Sequence, residues 1–124
     1  MRFFWIFLGG GIGAVLRIAL GAWLAARAPA GFPWGTFAVN ALGCFSIGFV
    51  ASVALARGML GSAAHLFLAA GLLGGFTTFS AFGLETLHLL QAGSRGTALL
   101  YSLGSMGLGV LAVGIGDWIG RASS

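Results

Sequence analysis

The chain has 124 residues, of which 59% are apolar and only 6% are charged. A soluble domain usually carries about a quarter charged residues, so this composition excludes a small water-soluble domain. The net charge of +4 comes from six dispersed arginines and two acids, without the basic stripe that a nucleic-acid partner needs.

Four apolar stretches follow one another along the chain, over residues 3–26, 34–56, 65–91 and 97–119. Each is long enough for a spanning helix, which needs about 20 apolar residues. Proline, glycine and serine occupy the breaks, and four tryptophans lie near span ends, at Trp5, Trp23, Trp34 and Trp118. We predict an all-α membrane protein with a single four-helix transmembrane domain. No room remains for a soluble catalytic domain, and no nucleophile, base and orienting group suggest an enzyme.

The arginines outside the spans do little to determine the orientation of the chain in the membrane. With four spans both termini share a side, so Arg2, Arg57 and Arg121 face one side and Arg27 and Arg95 the other. The two sides differ by only one arginine, which predicts insertion in both orientations. The alternative is that another signal imposes a single orientation. A cationic side chain inside the first apolar run argues against a cleaved signal peptide.

Glycine pairs spaced four residues apart occur in the first and last spans, as Gly9-xxx-Gly13 and Gly116-xxx-Gly120. Small residues at this spacing let helix backbones approach closely in a membrane. They do not by themselves identify a partner. Because four short helices make a poor bundle around a pore, we also expect oligomerisation.

The third span contains two adjacent glycines followed by three hydroxyl residues: Gly74, Gly75, Thr77, Thr78 and Ser80. Each glycine disfavours a helix by about 1 kcal/mol relative to alanine, so we predict a break near the middle of this helix. Non-helical backbone at membrane depth is tolerated only within protein or beside a cavity, where freed carbonyls can coordinate a hard cation. The alternative is a continuous helix whose glycines serve close packing.

Aromatic side chains recur every three residues in the same span, at Phe76, Phe79 and Phe82. The edge of an aromatic ring is electropositive, so phenylalanines facing a pore can contact an anion without binding it as tightly as an arginine does. Such a stripe also serves ordinary packing.

Polar residues inside the other spans are candidates for function. Asn40 offers two carboxamide donors to an anion. Alternatively, it forms a hydrogen bond between helices that is worth about 1 kcal/mol. Arg17 can attract anions, pair with Glu85 or reach helix carbonyls. Tyr101 and Ser105 share one helical face.

Three motifs together resemble the Fluc (CrcB) fluoride channel family. They are Gly9-Gly10-x-x-Gly13-Ala14-x-x-Arg17, Gly35-Thr36-x-x-Val39-Asn40-x-x-Gly43 and Gly71-x-x-Gly74-Gly75-x-Thr77-Thr78-Phe79-Ser80-x-Phe82. The resemblance covers all four spans, and the third motif is highly specific.

The resemblance implies an antiparallel, dual-topology homodimer in the bacterial plasma membrane. Such a dimer passes fluoride passively out of the cytoplasm, lowers its toxicity and holds a structural sodium ion that is not transported. By position, the carbonyls of Gly74 and Thr77 match the sodium ligands. The residues that match the fluoride path, or that we assign to it, are Arg17, Asn40, Thr78, Phe79, Ser80, Phe82, Tyr101 and Ser105.

Two other functions are compatible with four short spans. A small dual-topology, proton-coupled multidrug antiporter would need a membrane-embedded carboxylate, and the first two spans contain none. A structural subunit without transport activity would not need the Thr-Thr-Phe-Ser sequence. A flux assay separates these alternatives from a channel.

Overall fold

The computed structural model describes all 124 residues, and every regular element in it is a helix. We number the helices in chain order: α1 Arg2–Arg27, α2 Trp34–Ala56, α3 residues 63–76, α4 Ser80–Gln91 and α5 Arg95–Ala122. Helices α3 and α4 belong to one unit, Ala63–Gln91, so four units are long and apolar enough to cross a membrane. The expectation of an all-α, multi-pass membrane protein is confirmed.

The ends of the four units lie within three residues of the apolar stretches, because hydropathy changes sharply at the connecting loops. Glycines in the left-handed region make two of these turns, Gly58 with a φ of 65° and Gly93 with a φ of 80°. Helix α3 begins after Ser62, whose hydroxyl accepts a hydrogen bond from the amide of His65 at 3.1 Å.

Both glycine pairs lie at helix crossings within the chain. A Cβ atom at Gly13 would lie 2.9 Å from the Phe76 amide nitrogen, so α1 is in backbone contact with α3. A Cβ atom at Gly116 would lie 3.0 Å from the Phe49 amide nitrogen, which places α5 equally close to α2. These small residues therefore hold the subunit together.

Few side chains are buried within one chain. Only 14 of 124 residues are buried, and the largest fully buried side chains are those of Tyr101 and Val39. Many leucines, isoleucines, valines and phenylalanines instead point outward, as they do in proteins solvated by lipid or covered by a partner. Close packing inside the subunit rests mainly on glycine, alanine and serine.

The backbone of the third unit departs from the α-helical conformation twice. The central part of α3, Leu66–Leu73, is π-helical, and it follows Ala63–His65 and precedes Gly74–Phe76. Residues 77–79, which we call the 77–79 segment, lie between α3 and α4. Thr77 is extended there, with φ −86° and ψ 156°.

Candidate functional site

The 77–79 segment is held to α2 by Asn40. The Thr78 amide donates to Asn40 Oδ1 at 2.9 Å, and Asn40 Nδ2 donates to the Thr78 carbonyl at 2.9 Å. One turn further along α2, Gly43 leaves space for the Thr77 methyl group, which any Cβ atom at that position would overlap. The Asn-x-x-Gly spacing thus places the Asn40 carboxamide and the space at Gly43 next to each other on the face of α2 that contacts the 77–79 segment.

Two side chains divert amides that would continue the helix. In an unbroken α-helix the Thr78 amide would donate to the Gly74 carbonyl, and the Ala81 amide would donate to the Thr77 carbonyl. Here the Thr78 amide donates to Asn40, and the Ala81 amide donates to Thr78 Oγ1 at 3.1 Å. The carbonyls of Gly74 and Thr77 are therefore released from those helical bonds.

Arg17 contacts the same region from α1. Its Nε donates to the Gly75 carbonyl at 3.2 Å, and the side chain is half-buried. Of the three possibilities for this arginine, the structure shows the contact with a helix carbonyl and no ion pair with Glu85. The guanidinium group replaces the Phe79 amide, which would otherwise be the helical donor to Gly75.

A cleft of about 670 Å³ opens beside the 77–79 segment, and none of its lining residues is charged. It brings together seven residues that the sequence singled out: Asn40, Gly74, Thr77, Thr78, Phe79, Phe82 and Ser105. Phe79 is 82% exposed in the single chain, and its ring centroid lies 5.6 Å from that of Phe82. Phe76 does not line the cleft, because the extended Thr77 interrupts the helical stripe.

The remaining candidates for the fluoride path, Ser80, Tyr101 and Arg17, are not among the residues that line the cleft. The Ser80 hydroxyl is 3.3 Å from that of Thr78. Tyr101 is fully buried, its ring centroid lies 5.0 Å from that of Phe82, and its hydroxyl has no hydrogen-bond partner. Arg17 binds the Gly75 carbonyl from α1 and does not line the cleft.

One polar contact was not anticipated from the sequence. Thr36 Oγ1 donates to Glu85 Oε1 at 2.6 Å, which joins α2 to α4. The signal that could have revealed it is helical spacing, since Thr36 lies one turn before Asn40 and Glu85 lies three residues after Phe82. The other acid, Asp117, forms an ion pair with Arg121 at 2.9 Å on α5. 

The fold and the cleft define a class of protein. The chain has four helical units long and apolar enough to cross a membrane, and the second, third and fourth of them line an uncharged cleft that carries amide and hydroxyl donors beside aromatic rings. No group of three or more His, Cys, Asp or Glu side chains could hold a metal ion. This arrangement is that of a small membrane channel or transporter.

Comparison with known proteins identifies the family. The family model described as CrcB-like protein, Camphor Resistance (CrcB), matches residues 4–117, and the chain belongs to this family. A relative from Thermus thermophilus is 51% identical over 98% of this chain and 94% of its own length. Relatives from Acidobacterium capsulatum and Magnetococcus marinus are 44% and 46% identical, each over 98% of this chain and over 97% and 98% of their own lengths.

All three relatives carry the name fluoride-specific ion channel FluC. The resemblance drawn from the three sequence motifs is thereby confirmed. The family is one of channels and not of enzymes, as we expected.

Proposed function

We propose that this chain conducts fluoride passively across the bacterial plasma membrane and exports it from the cytoplasm. The observation that carries the proposal is the uncharged cleft, in which Asn40, Thr78, Ser105 and two phenylalanines converge. Fluoride is small and strongly hydrated, so a pore must replace its water with donors and yet release the ion. Neutral donors and electropositive ring edges meet both requirements.

The donors in the cleft have capacity for an anion. One N–H of Asn40 is used on the Thr78 carbonyl, which leaves the second N–H available. The Thr78 hydroxyl accepts from Ala81 and can still donate, either to Ser80 or to an ion. Hydrogen fluoride that enters from an acidic medium ionises in the cytoplasm, and such a path would let the anion leave.

The multidrug antiporter is not supported. Proton exchange requires a carboxylate exposed to the transport path, and none of the residues lining the cleft is acidic. The only acid near the site, Glu85, lies outside the cleft lining and accepts a hydrogen bond from Thr36.

A structural sodium ion fits the released carbonyls of Gly74 and Thr77. Sodium is a hard cation that prefers oxygen ligands, and both residues line the cleft. Two carbonyls in each of two antiparallel copies would supply four oxygens near the midplane. The ion's charge would offset part of the cost of anions in a medium of low dielectric constant, and the ion itself would not cross.

An antiparallel homodimer would complete the path. The cleft is open on the surface of one chain, and Phe79 is 82% exposed beside it, so a second copy can close it. The near-zero arginine bias favours insertion in both orientations. A reporter fused after Ser124 should therefore appear on both sides of the membrane, and two lysines added at one end should shift that distribution. A reporter on one side alone would refute the antiparallel homodimer.

Fluoride export is tested by growth. A bacterium lacking its own fluoride exporter should regain growth on fluoride when it expresses this chain. Cells carrying an empty vector provide the baseline. Growth no better than that baseline, with the protein present in the membrane, would refute the export function.

A further inference from the structure

We infer that Asn40 is a positioning residue for the cation site as well as a donor on the fluoride path, because it diverts the amide that would otherwise occupy the Gly74 carbonyl. This inference rests on the proposed sodium site. Asn40 lies on α2, whereas the carbonyls lie on the third unit, so the side chain would act on the cation site from a different helix.

The geometry of the carboxamide supports this assignment. Both polar atoms of Asn40 bind the Thr78 backbone: Oδ1 accepts from its amide and Nδ2 donates to its carbonyl, each at 2.9 Å. An anion-binding side chain needs only its N–H donors, so the bond accepted by Oδ1 has no role in holding fluoride. Its effect is on the backbone, since it takes up the one amide that an α-helix would direct to Gly74.

Thr78 does the same for the second carbonyl. Its Oγ1 accepts the Ala81 amide at 3.1 Å, in place of the Thr77 carbonyl. The Gly75 carbonyl between them is instead occupied by Arg17 Nε at 3.2 Å. Three side chains thus determine which carbonyls accept bonds from the protein and which remain for an ion.

Removing the diverting group should let the helix close over the site. In Asn40→Leu the half-buried Thr78 amide loses its acceptor, and an amide left without a partner in the membrane is unfavourable, so it should turn to the Gly74 carbonyl. The cation would then compete with a helical hydrogen bond. Thr78→Val should have the equivalent effect on Thr77, whereas Thr78→Ser keeps the hydroxyl and should preserve the site.

The test measures sodium binding without fluoride. The melting temperature of the purified protein is followed as sodium chloride replaces N-methylglucamine chloride at constant ionic strength. The wild type should show a sodium-dependent rise with a defined midpoint. Asn40→Leu and Thr78→Val should raise that midpoint by about tenfold or abolish the rise, and Thr78→Ser should leave it within about twofold.

Ser52→Ala is the matched control for general destabilisation. Ser52 also lies on α2, is buried and donates to a backbone carbonyl, that of Asp117, at 3.1 Å. The control should melt at a lower temperature but keep the wild-type sodium midpoint.

The outcomes separate this inference from the proposed function. A wild-type midpoint in Asn40→Leu would overturn the positioning role while leaving the sodium site intact. If that variant does not fold, a wild-type midpoint in Thr78→Val overturns amide diversion instead. A wild type without any sodium-dependent rise would overturn the site and the inference together.

Discussion

Substituting Gly13 by alanine should destabilise the subunit far more than the same change at Gly11. The two glycines lie two residues apart on α1, but a Cβ atom at Gly11 has nothing within 4 Å. At Gly13 the methyl group would lie 2.9 Å from the Phe76 nitrogen and would overlap the Leu72 carbonyl oxygen. Since backbone atoms cannot rotate away, α1 itself must move.

The magnitude follows from two contributions. Overpacking a close helix crossing costs about 1–3 kcal/mol. Arg17 lies one turn beyond Gly13, so displacing α1 also stretches its 3.2 Å bond to the Gly75 carbonyl, which contributes about another 1 kcal/mol. The total is about 2–4 kcal/mol for Gly13→Ala. Gly11→Ala should be neutral or stabilising by up to about 1 kcal/mol, because alanine favours the helix.

Thermal unfolding of the two purified variants in one detergent measures this difference. For a chain of this length about 1 kcal/mol corresponds to a shift of roughly 4 °C, so Gly13→Ala should melt about 8–16 °C below wild type. Gly11→Ala should melt at or slightly above the wild-type temperature. Equal melting of the two variants would refute the close backbone contact between α1 and α3.

Two further predictions concern the site. Asn40→Asp keeps the side chain's size but places a negative charge in the fluoride path; at about 4 Å and an effective dielectric constant of about 20 the repulsion is about 4 kcal/mol, so fluoride flux should fall by about 10³-fold. Unchanged flux in folded protein would remove Asn40 from the path. Gly74→Ala should weaken sodium binding, because alanine favours a continuous helix. The substitution should not cause a clash, since the Cβ atom would meet only the Ala69 carbonyl, at an ordinary 3.7 Å. Thr77→Ser, which keeps the backbone carbonyl, should bind sodium as the wild type does, and equal binding by all three proteins would refute the role of a broken helix. Gly75→Ala is unsuitable for this test, since its Cβ atom would overlap the Gly10 backbone.

Hydropathy made the helices predictable, because the free energy of placing a side chain in lipid depends mainly on its own chemistry. It was harder to predict from the sequence which helices pack against each other. The Gly-xxx-Gly spacing indicated that α1 and α5 have faces suited to close contact, but not that these faces meet α3 and α2. A helical face is a local property, whereas its partner depends on the whole topology.

For the site, too, the sequence predicted which residues matter but not which contacts they make. The sequence indicated Asn40 and the polar residues of the third span as a group, since their types are unusual within a membrane. It did not indicate that both polar atoms of Asn40 bind Thr78, or that Thr36 binds Glu85 across 49 residues. The π-helical conformation of Leu66–Leu73 also had no signal, because hydropathy does not specify a hydrogen-bond register.

Ion efflux from liposomes that contain only this chain tests the fluoride channel most directly. Vesicles loaded with potassium fluoride or potassium chloride, in sodium-containing buffer, receive valinomycin so that potassium can balance the charge. Fluoride should then leave down its gradient while chloride is retained, and no proton gradient should be needed. Equal efflux of the two anions, or no fluoride efflux from correctly folded protein, would contradict the account.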